Sequence, residues 1–268
     1  MSAEATVAER ARYRLHTRLS GSPMYLPFAR HWYPGPSATV IGPETQLVID
    51  GYQRSATTFA VYAFQLAQPS PVRLAHHLHA PAQLVAAARR GVPALALVRS
   101  PHGAVRSQLI REPWLPVRDA LAAYVRFYTR LMPYRAQLVV ADFAEVTHDF
   151  GAVVRRLNAH FGTGYAEFQP TGPNVRECVD LIRYRWTLSP TLLAFESGLV
   201  GADDVRRERA TLARRARRTA PLGVRDAWLP STERDREKAA LEHRWRRPEL
   251  AALRHRAERT YAEFLGES

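Results

Sequence analysis

The stretch LVIDGYQRSATTF, residues 47–59, decides the fold class of this 268-residue chain. Its first residues are apolar and partly β-branched, which predicts a buried strand. Gly51 and Ser55 are turn formers, and a helical pattern begins at Thr57. A strand, a glycine-containing loop and a helix in this order direct backbone N–H groups and a helix N-terminus at an anion. The stretch therefore predicts a phosphate-binding loop.

This loop departs in two places from the motif G-x-x-x-x-G-K-[ST], which binds nucleoside triphosphates. Gly51 and Thr58 fit the first and last positions, but Ala56 replaces the second glycine and Thr57 replaces the lysine. The lysine that reaches the β- and γ-phosphates is therefore absent, and a positive charge stands earlier in the loop, at Arg54. The loop thus favours a ligand with a shorter charged end than a triphosphate and its metal.

A second candidate phosphate site lies in LALVRSPHGAVRSQL, residues 95–109. Arg99 follows an apolar strand, and Ser107 stands eight residues later in a predicted helix. An arginine at the carboxyl end of a strand faces the crevice in which open α/β sheets bind ligands. A guanidinium and a hydroxyl that face one point make a clamp for a phosphate.

Together the two segments resemble the donor-binding segments of sulfotransferases that use 3′-phosphoadenosine 5′-phosphosulfate (PAPS). The family pattern is glycine, two residues, lysine or arginine, serine, glycine, two threonines and often an aromatic residue. GYQRSATTF matches this pattern except at Ala56. Arg99 and Ser107 match the segment that binds the 3′-phosphate, although Ser100 stands where the family usually has Asp or Asn. The resemblance covers about residues 47–162.

The resemblance implies PAPS as co-substrate and no metal, because the donor has no γ-phosphate for a lysine to hold or a metal to bridge. Arg54 would lie near the bridging oxygen, where negative charge grows as the S–O bond breaks. Phe59 would either stack on the adenine or pack in the core. The implied donor-binding residues are Arg54, Ser55, Ala56, Thr57, Thr58, Phe59, Arg99 and Ser107.

The segment RLAHHLHAP, residues 73–81, supplies candidates for a catalytic base. Sulfo transfer to a hydroxyl requires removal of the hydroxyl proton, and histidine is the usual base near neutral pH. Many sulfotransferases have a histidine followed by leucine in this region, so the resemblance implies His77 as the base. His79 is the alternative, and His76 is a third candidate. The three histidines could also bind a metal, but no acidic or thiol partner lies at ligand spacing, so no metal site is predicted.

The chain is strongly basic, with a net charge of +13, and therefore favours anionic partners. Residues 205–225 hold eight arginines against one acidic residue, Glu208. This run supports an alternative function as a nucleic-acid-binding protein without catalytic activity, although no docking motif accompanies it. The resemblance would instead use Arg217 or Arg218 from this run as a further contact to the 3′-phosphate. Another nucleotide-dependent transferase with a P-loop-type site is a further alternative, which the missing lysine disfavours.

Strand patterns at 47–49, 93–98 and 137–140 are separated by helical patterns, which predicts βαβ units. We therefore expect an α/β three-layer fold that resembles P-loop proteins, with a mostly parallel central sheet flanked by helices. One domain spans residues 1–268, with its core at about 45–170 and a helical, arginine-rich part at about 171–268. After the third strand, Asp142 is expected to cap a turn.

Further features of the sequence concern location and partners. Cys178 is the only cysteine, so no intramolecular disulfide is predicted. The sequence contains no apolar run of signal-peptide or membrane-span length, which predicts a cytoplasmic protein. The acceptor is expected to present a hydroxyl or amine on a small molecule, glycan or lipid. Variable loops build the acceptor pocket in such proteins, so the acceptor class and the oligomeric state stay open.

Overall fold

The centre of the molecule is a sheet of four parallel strands in the order β2-β1-β3-β4. The structure, a computed structural model, describes residues 6–32, 39–219, 229 and 231–267. The strands are β1 (Leu47–Gly51), β2 (Leu74–His76), β3 (Ala94–Val98) and β4 (Val139–Asp142).

Helices account for most of the remaining described residues. In chain order they are α1 (Val7–Leu19), α2 (Tyr25–Trp32), α3 (Thr57–Ala67), α4 (Pro81–Arg90), α5 (Pro101–Arg111), α6 (Val117–Leu131), α7 (Phe143–His148), α8 (Phe150–Phe161), α9 (Gly172–Tyr184), α10 (Pro190–Glu196), α11 (Ala202–Thr219), α12 (Thr232–Ala240), α13 (Glu242–Trp245) and α14 (Ala251–Leu265). Short 3₁₀ helices span Met132–Gln137, Arg185–Thr187 and Pro248–Leu250. Among these described helices, none combines the length and apolarity that crossing a bilayer requires.

Helices cover both faces of the sheet. Side chains alternate between the two faces of a strand, so each strand contributes residues to two cores. On one face, Val48 and Ala96 belong to a core built with α4, α5, α6 and α14. On the other face, Ile49 and Leu97 belong to a core built with α3, α8 and α9. All residues of β1 and β3 are buried. The predicted α/β fold with a parallel sheet between helical layers is confirmed.

The strand order creates a switch point between β1 and β3. The chain leaves β1 through α3 toward β2 at one edge, and it leaves β3 through α5 and α6 toward β4 at the other edge. Connections that diverge in this way open a crevice at the carboxyl ends of the two strands, where α/β proteins bind ligands. The two predicted phosphate loops follow β1 and β3, so both begin at this crevice.

The three predicted strands are confirmed, and β2 is a fourth strand that the sequence pattern does not predict. This strand has only three residues, and its place follows from pairing with β1, where Ile49 lies opposite His76. The predicted cap at Asp142 is confirmed: its side chain accepts a hydrogen bond from the N–H of Ala144 at the start of α7. Residues 172–219 and 232–265 are largely helical, as expected. Residues 220–225 of the arginine-rich run lie outside the described residues.

Candidate functional site

The loop after β1 turns sharply beside β3. A Cβ atom on Gly51 would lie 2.2 Å from the carbonyl oxygen of Leu97, so only glycine fits at this position. Three and five residues after Gly51, Arg54 and Ala56 have positive φ angles of 70° and 69°. Ala56 thus holds the left-handed backbone that glycine adopts most readily. Ala56, which stands where the resembled pattern has glycine, therefore still adopts a backbone conformation that is open to glycine.

Strained backbone is concentrated at this site. Among the described residues, five non-glycine residues have φ in the left-handed region. Four of them line one cavity at the carboxyl ends of β1 and β3, and the fifth, Leu188, does not. Such conformations cost about 1–3 kcal/mol each and cluster at functional sites. The four cavity-lining residues are Arg54, Ala56, His77 and His79.

The two predicted phosphate loops are in direct contact. A terminal nitrogen of Arg99 donates to the carbonyl oxygen of Arg54 over 3.0 Å. In turn, Nε of Arg54 donates to Oγ of Ser107 over 2.9 Å. The structure therefore brings Arg54, Arg99 and Ser107 together at the carboxyl ends of β1 and β3, which is the switch point of the sheet.

These residues line a cavity of about 480 Å³, a volume typical of small-molecule sites. The described lining residues include no aspartate and no glutamate. A cavity with cationic walls and no carboxylate attracts an anionic ligand. Its cationic lining residues are Arg54, Arg99, Arg111, Arg185, Arg234 and Lys238.

The electrostatic environment of Arg54 reflects this concentration of positive charge. Burial, together with the charges of Arg234, Arg111 and Arg99, lowers the pKa of Arg54 to about 9. Burial also lowers the pKa of Arg99, and the nearby carboxylate of Asp142 opposes this shift. A pKa of about 9 still leaves Arg54 charged at neutral pH. The lowered pKa means that burial and the neighbouring positive charges make the charged form of Arg54 less favourable than it is in water. An anion between these arginines would offset that cost.

The N-terminus of α3 points its first turn at the same cavity. Ala56 occupies the cap position and provides no side-chain hydrogen bond to the first N–H groups. Thr57, the first residue of α3, lines the cavity, and its buried hydroxyl has no hydrogen-bond partner among the described residues. A buried polar group without a partner costs about 1–3 kcal/mol. The helix start therefore offers uncapped N–H groups and one hydroxyl to a ligand.

The remaining predicted donor contacts differ in orientation. Thr58 lines the cavity and its hydroxyl lies 3.0 Å from Nε2 of His77. Phe59 also lines the cavity but packs edge-to-face on Phe168, so the stacking and core interpretations both stay open. Ser55 is fully buried and is not one of the described lining residues; its hydroxyl lies 3.5 Å from that of Tyr128. The Ser55 side chain is thus directed into the protein.

His77, the base that the resemblance implies, lies in the cavity wall with both ring nitrogens occupied. Its Nδ1 is 2.7 Å from Nδ1 of His76, and its Nε2 is 3.0 Å from the hydroxyl of Thr58. Burial, with a smaller contribution from the charge of Arg185, lowers the pKa of His77 well below its ordinary value. The same two causes lower the pKa of His76 to about 3. Both imidazoles are therefore neutral at physiological pH.

His79, the alternative base, is held differently. Its Nδ1 lies 2.8 Å from the carbonyl oxygen of Gly51 and 3.4 Å from a carboxylate oxygen of Asp50. The hydrogen bond to Gly51 fixes the ring with Nδ1 protonated, which leaves Nε2 as the hydrogen-bond acceptor. Within the described part of the chain, Nε2 of His79 has no hydrogen-bond partner. This arrangement suits proton abstraction from a ligand.

A second, smaller chamber of about 140 Å³ adjoins the main cavity. Gln53, His77 and His79 line both spaces and so form the wall between them. The other lining residues come mainly from α1, α6 and the loops that follow β1 and β2, and several are aromatic. They include Tyr13, His16, Tyr52 and Phe127.

The histidines have an acidic neighbour that the sequence analysis did not find. Ligand atoms of His76, His77 and Glu196 lie within 4.8 Å of one another. However, the Glu196 carboxylate already accepts hydrogen bonds from Arg185, at 2.9 and 3.2 Å, and from the hydroxyl of Tyr62. A cation at this position would lie beside the guanidinium of Arg185. The geometry therefore favours a hydrogen-bonded network over a metal centre.

The C-terminal contact to the cavity comes from a different helix than the sequence suggested. Arg217 and Arg218 lie exposed on α11 and are not among the described lining residues. Arg234 and Lys238, one turn apart on α12, line the cavity instead. No local pattern marks these two residues, because the fold brings them to the site from far along the chain. Arg111 could have been found, since it lies one helical turn beyond Ser107 on α5.

No protein-family model matches this chain, and comparisons with curated proteins and with solved structures find no match. Functional inference therefore depends on the residues of the site and their geometry.

Proposed function

We propose that this protein is a sulfotransferase that moves the sulfo group of PAPS to a hydroxyl or amine of an acceptor. One observation carries the proposal: the loops after β1 and β3 meet through Arg54, Arg99 and Ser107 in a cavity lined by cations. The resemblance in sequence assigns these two loops to opposite ends of one nucleotide. Their contact at the switch point satisfies the spatial requirement of that assignment.

In this proposal the donor lies across the two loops. Its 5′ end lies at the N-terminus of α3, where uncapped N–H groups and the hydroxyl of Thr57 meet Arg54. Its 3′-phosphate lies between the guanidinium of Arg99 and the hydroxyl of Ser107. The Arg99 guanidinium stacks on the ring of Phe143, with 3.8 Å from Cζ to the ring centroid. This stacking limits the rotation of Arg99 and so orients it for the phosphate.

The chemistry is an in-line displacement at sulfur. The acceptor oxygen attacks sulfur and gives its proton to Nε2 of His79, and the bond between sulfur and the bridging oxygen breaks. The electron pair of that bond stays on the bridging oxygen of the leaving adenosine 3′,5′-bisphosphate (PAP), where Arg54 stabilises it. The imidazolium formed at His79 is stabilised by the carbonyl oxygen of Gly51, which accepts from Nδ1, and by the nearby negative charge of Asp50. We favour His79 over His77 because both nitrogens of His77 are already engaged.

The smaller chamber would hold the reactive end of the acceptor, since His79 stands in the wall between the two spaces. Its volume of about 140 Å³ is close to that of an engineered cavity of about 150 Å³ that accepts benzene. Aromatic walls and this volume favour an acceptor whose hydroxyl is carried by a single ring. Longer acceptors would need part of their chain outside the chamber.

The arginine-rich helix α11 gives less support to the nucleic-acid alternative than the sequence suggested. Arg206, Arg207 and Arg209 form ion pairs with Glu177, Asp204 and Asp180, at 2.8, 2.5 and 2.5 Å. These acidic side chains neutralise part of the charge that nucleic-acid binding would use. The ion pairs are exposed and contribute little to stability.

Equilibrium binding of PAP tests the proposal directly. Calorimetric titration of the purified protein should show binding of PAP without added metal, and weaker binding of ADP, which lacks the 3′-phosphate. Arg99→Ala should weaken PAP binding by about tenfold to a hundredfold, the effect of losing a charged hydrogen bond. The matched control is Arg90→Ala, an exposed arginine at the end of α4.

Three outcomes would count against a sulfotransferase. The first is the absence of PAP binding. The second is a preference for ATP that depends on magnesium, which would indicate a different nucleotide-dependent transferase. The third is equal affinity for PAP in Arg99→Ala and in the wild type, which would show that Arg99 does not bind the 3′-phosphate.

A further inference from the structure

The first two helices expose large apolar side chains that the fold does not use. Seven large hydrophobic residues are exposed in the described part of the chain, and five of them belong to α1, α2 or the short turn between them. Such concentrations on a protein surface mark interaction sites. Their exposed fractions are 86% for Val7, 58% for Leu15, 51% for Leu19, 68% for Met24 and 60% for Phe28.

On α1 these residues form a regular row. Val7, Ala11, Leu15 and Leu19 recur at every fourth position and are all exposed, so they form a stripe along one side of the helix. Arg12 and Arg18 are also exposed, and the helical repeat of about 100° per residue places them on opposite sides of the stripe. Among the described residues, neither arginine forms an ion pair. The result is an apolar strip with a cation at each border.

The opposite side of α1 is fixed to the protein. Arg14 and Arg10 form ion pairs with Asp119 of α6, at 2.8 and 3.5 Å. Tyr13 and His16 line the smaller chamber beneath the helix. Packing and ion pairing therefore explain one side of α1, whereas no described residue covers the apolar strip.

We infer that the outer face of α1, which carries the apolar strip, docks on an anionic membrane surface. A helix in the plane of a bilayer interface inserts its apolar side chains among the acyl chains and extends its arginines to the lipid phosphates. An arginine near an anionic leaflet is attracted to its surface. Arg12 and Arg18 are placed for this contact, and the net charge of +13 adds attraction over a longer range. This inference does not depend on the chemistry of the cavity.

A second copy of the chain fits this face less well. A symmetric dimer through the strip would bring the bordering arginines of one copy toward those of the other, because a two-fold axis pairs like surfaces. Like charges that face each other weaken association. An anionic bilayer instead meets both the apolar strip and its cationic borders with complementary groups.

Co-sedimentation with lipid vesicles tests this inference. The protein should bind vesicles that contain phosphatidylserine, bind phosphatidylcholine vesicles much more weakly, and dissociate as salt increases. Leu15→Ser combined with Leu19→Ser should reduce the partition coefficient at least about tenfold, since both changes remove apolar side chains that would enter the bilayer. Arg12→Glu combined with Arg18→Glu should reduce it at least about tenfold. Thermal unfolding checks that these variants remain folded.

Matched controls lie on other surfaces. Leu199→Ser changes an apolar residue with 58% exposure, and Arg90→Glu reverses an exposed charge on α4. Both controls should bind vesicles like the wild type. The inference is overturned by absent or lipid-independent binding, or by strip variants that bind as well as the controls. It is also overturned if sedimentation without vesicles shows a dimer that the leucine variants dissociate, because the face then belongs to a second copy.

Discussion

At the scale of single residues, Ala56 shows how a departure from a motif can keep its geometry. Its φ of 69° is the left-handed conformation that the loop needs, and its side chain lies in the cavity wall. An alanine in this conformation costs about 1–2 kcal/mol compared with a right-handed one. The sequence could identify Ala56 as an exception to the pattern, but the backbone angle comes only from the fold.

This strain predicts the effect of restoring the glycine. Ala56→Gly should raise the free energy of unfolding by about 1 kcal/mol, because glycine adopts a positive φ at little cost. Urea denaturation of both proteins measures the difference. The control is Ala88→Gly in α4, where the same change should lower the free energy of unfolding by about 1 kcal/mol. A loss of stability in Ala56→Gly comparable to the control would show that the loop is not strained.

The two candidate bases differ in a way that kinetics can resolve. His79→Gln should lower kcat by a factor of about 10²–10⁴ and leave PAP binding unchanged, because a general base acts on the acceptor and not on the donor. His77→Gln should change kcat less, since its nitrogens already contact Thr58 and His76. Initial rates with a saturating phenolic acceptor, together with PAP titrations, measure both effects. If only His77→Gln abolishes turnover, then His77 is the base, as the sequence resemblance implies.

At the scale of secondary structure, the start of α3 combines a stability cost with a binding role. Thr57 has a buried hydroxyl without a partner among the described residues, in a helix turn that no side chain caps. Buried polar groups that lack a hydrogen-bond partner in the ligand-free protein are often the groups that a ligand contacts. The helix therefore gives up some stability at the position where the proposal puts the sulfo end of the donor.

Thr57→Val separates these two properties, because valine keeps the shape of threonine and removes the hydroxyl. The free energy of unfolding should rise by about 1 kcal/mol, while PAP or PAPS should bind more weakly. Thr260→Val is the control, since the hydroxyl of Thr260 is buried and donates to the carbonyl oxygen of Arg256. That control should lose stability and keep its affinity. If Thr57→Val loses stability as well, its hydroxyl has a partner and the helix start is not a free anion site.

The sequence allowed much of the secondary structure to be predicted, but fewer of the contacts across the site. β1, β3 and β4 were found because runs of apolar residues next to turn formers predict buried strands. β2 was missed because three residues carry no period, and its strand conformation depends on pairing with β1. Two features of the site depend on side-chain directions, which the tertiary fold determines. One is the position of Arg234 in the cavity wall, and the other is which of His77 and His79 is suited to act as a base.

At the scale of the whole molecule, strand order and charge distribution lead to the same place. The switch point between β1 and β3 opens a crevice, and cations from α5, α12 and the segment after α9 surround it. The protein holds these cations close together without a carboxylate among the described lining residues. A ligand with two separated anionic groups would therefore stabilise the folded state as it binds.

The pair formed by buried His76 and half-buried His77 makes stability depend on pH. Burial, reinforced by the charge of Arg185, lowers the pKa of His76 to about 3 and the pKa of His77 well below its ordinary value. In the unfolded chain, histidine has a pKa of about 6.5. Below that pH the unfolded chain binds protons that the folded chain excludes. The free energy of unfolding should therefore fall by up to about 1.4 kcal/mol per pH unit for each histidine as pH decreases from about 6.5 to 5.

Urea denaturation between about pH 7 and 5 measures this slope above the range in which most carboxylates titrate. His76→Gln should make the slope shallower, because glutamine keeps hydrogen-bonding groups and cannot take up a proton in this range. An equal slope in His76→Gln and the wild type would mean that His76 takes up protons as readily in the folded chain as in the unfolded one. The hydrogen-bonded chain from Thr58 through His77 to His76 would then not be a neutral network.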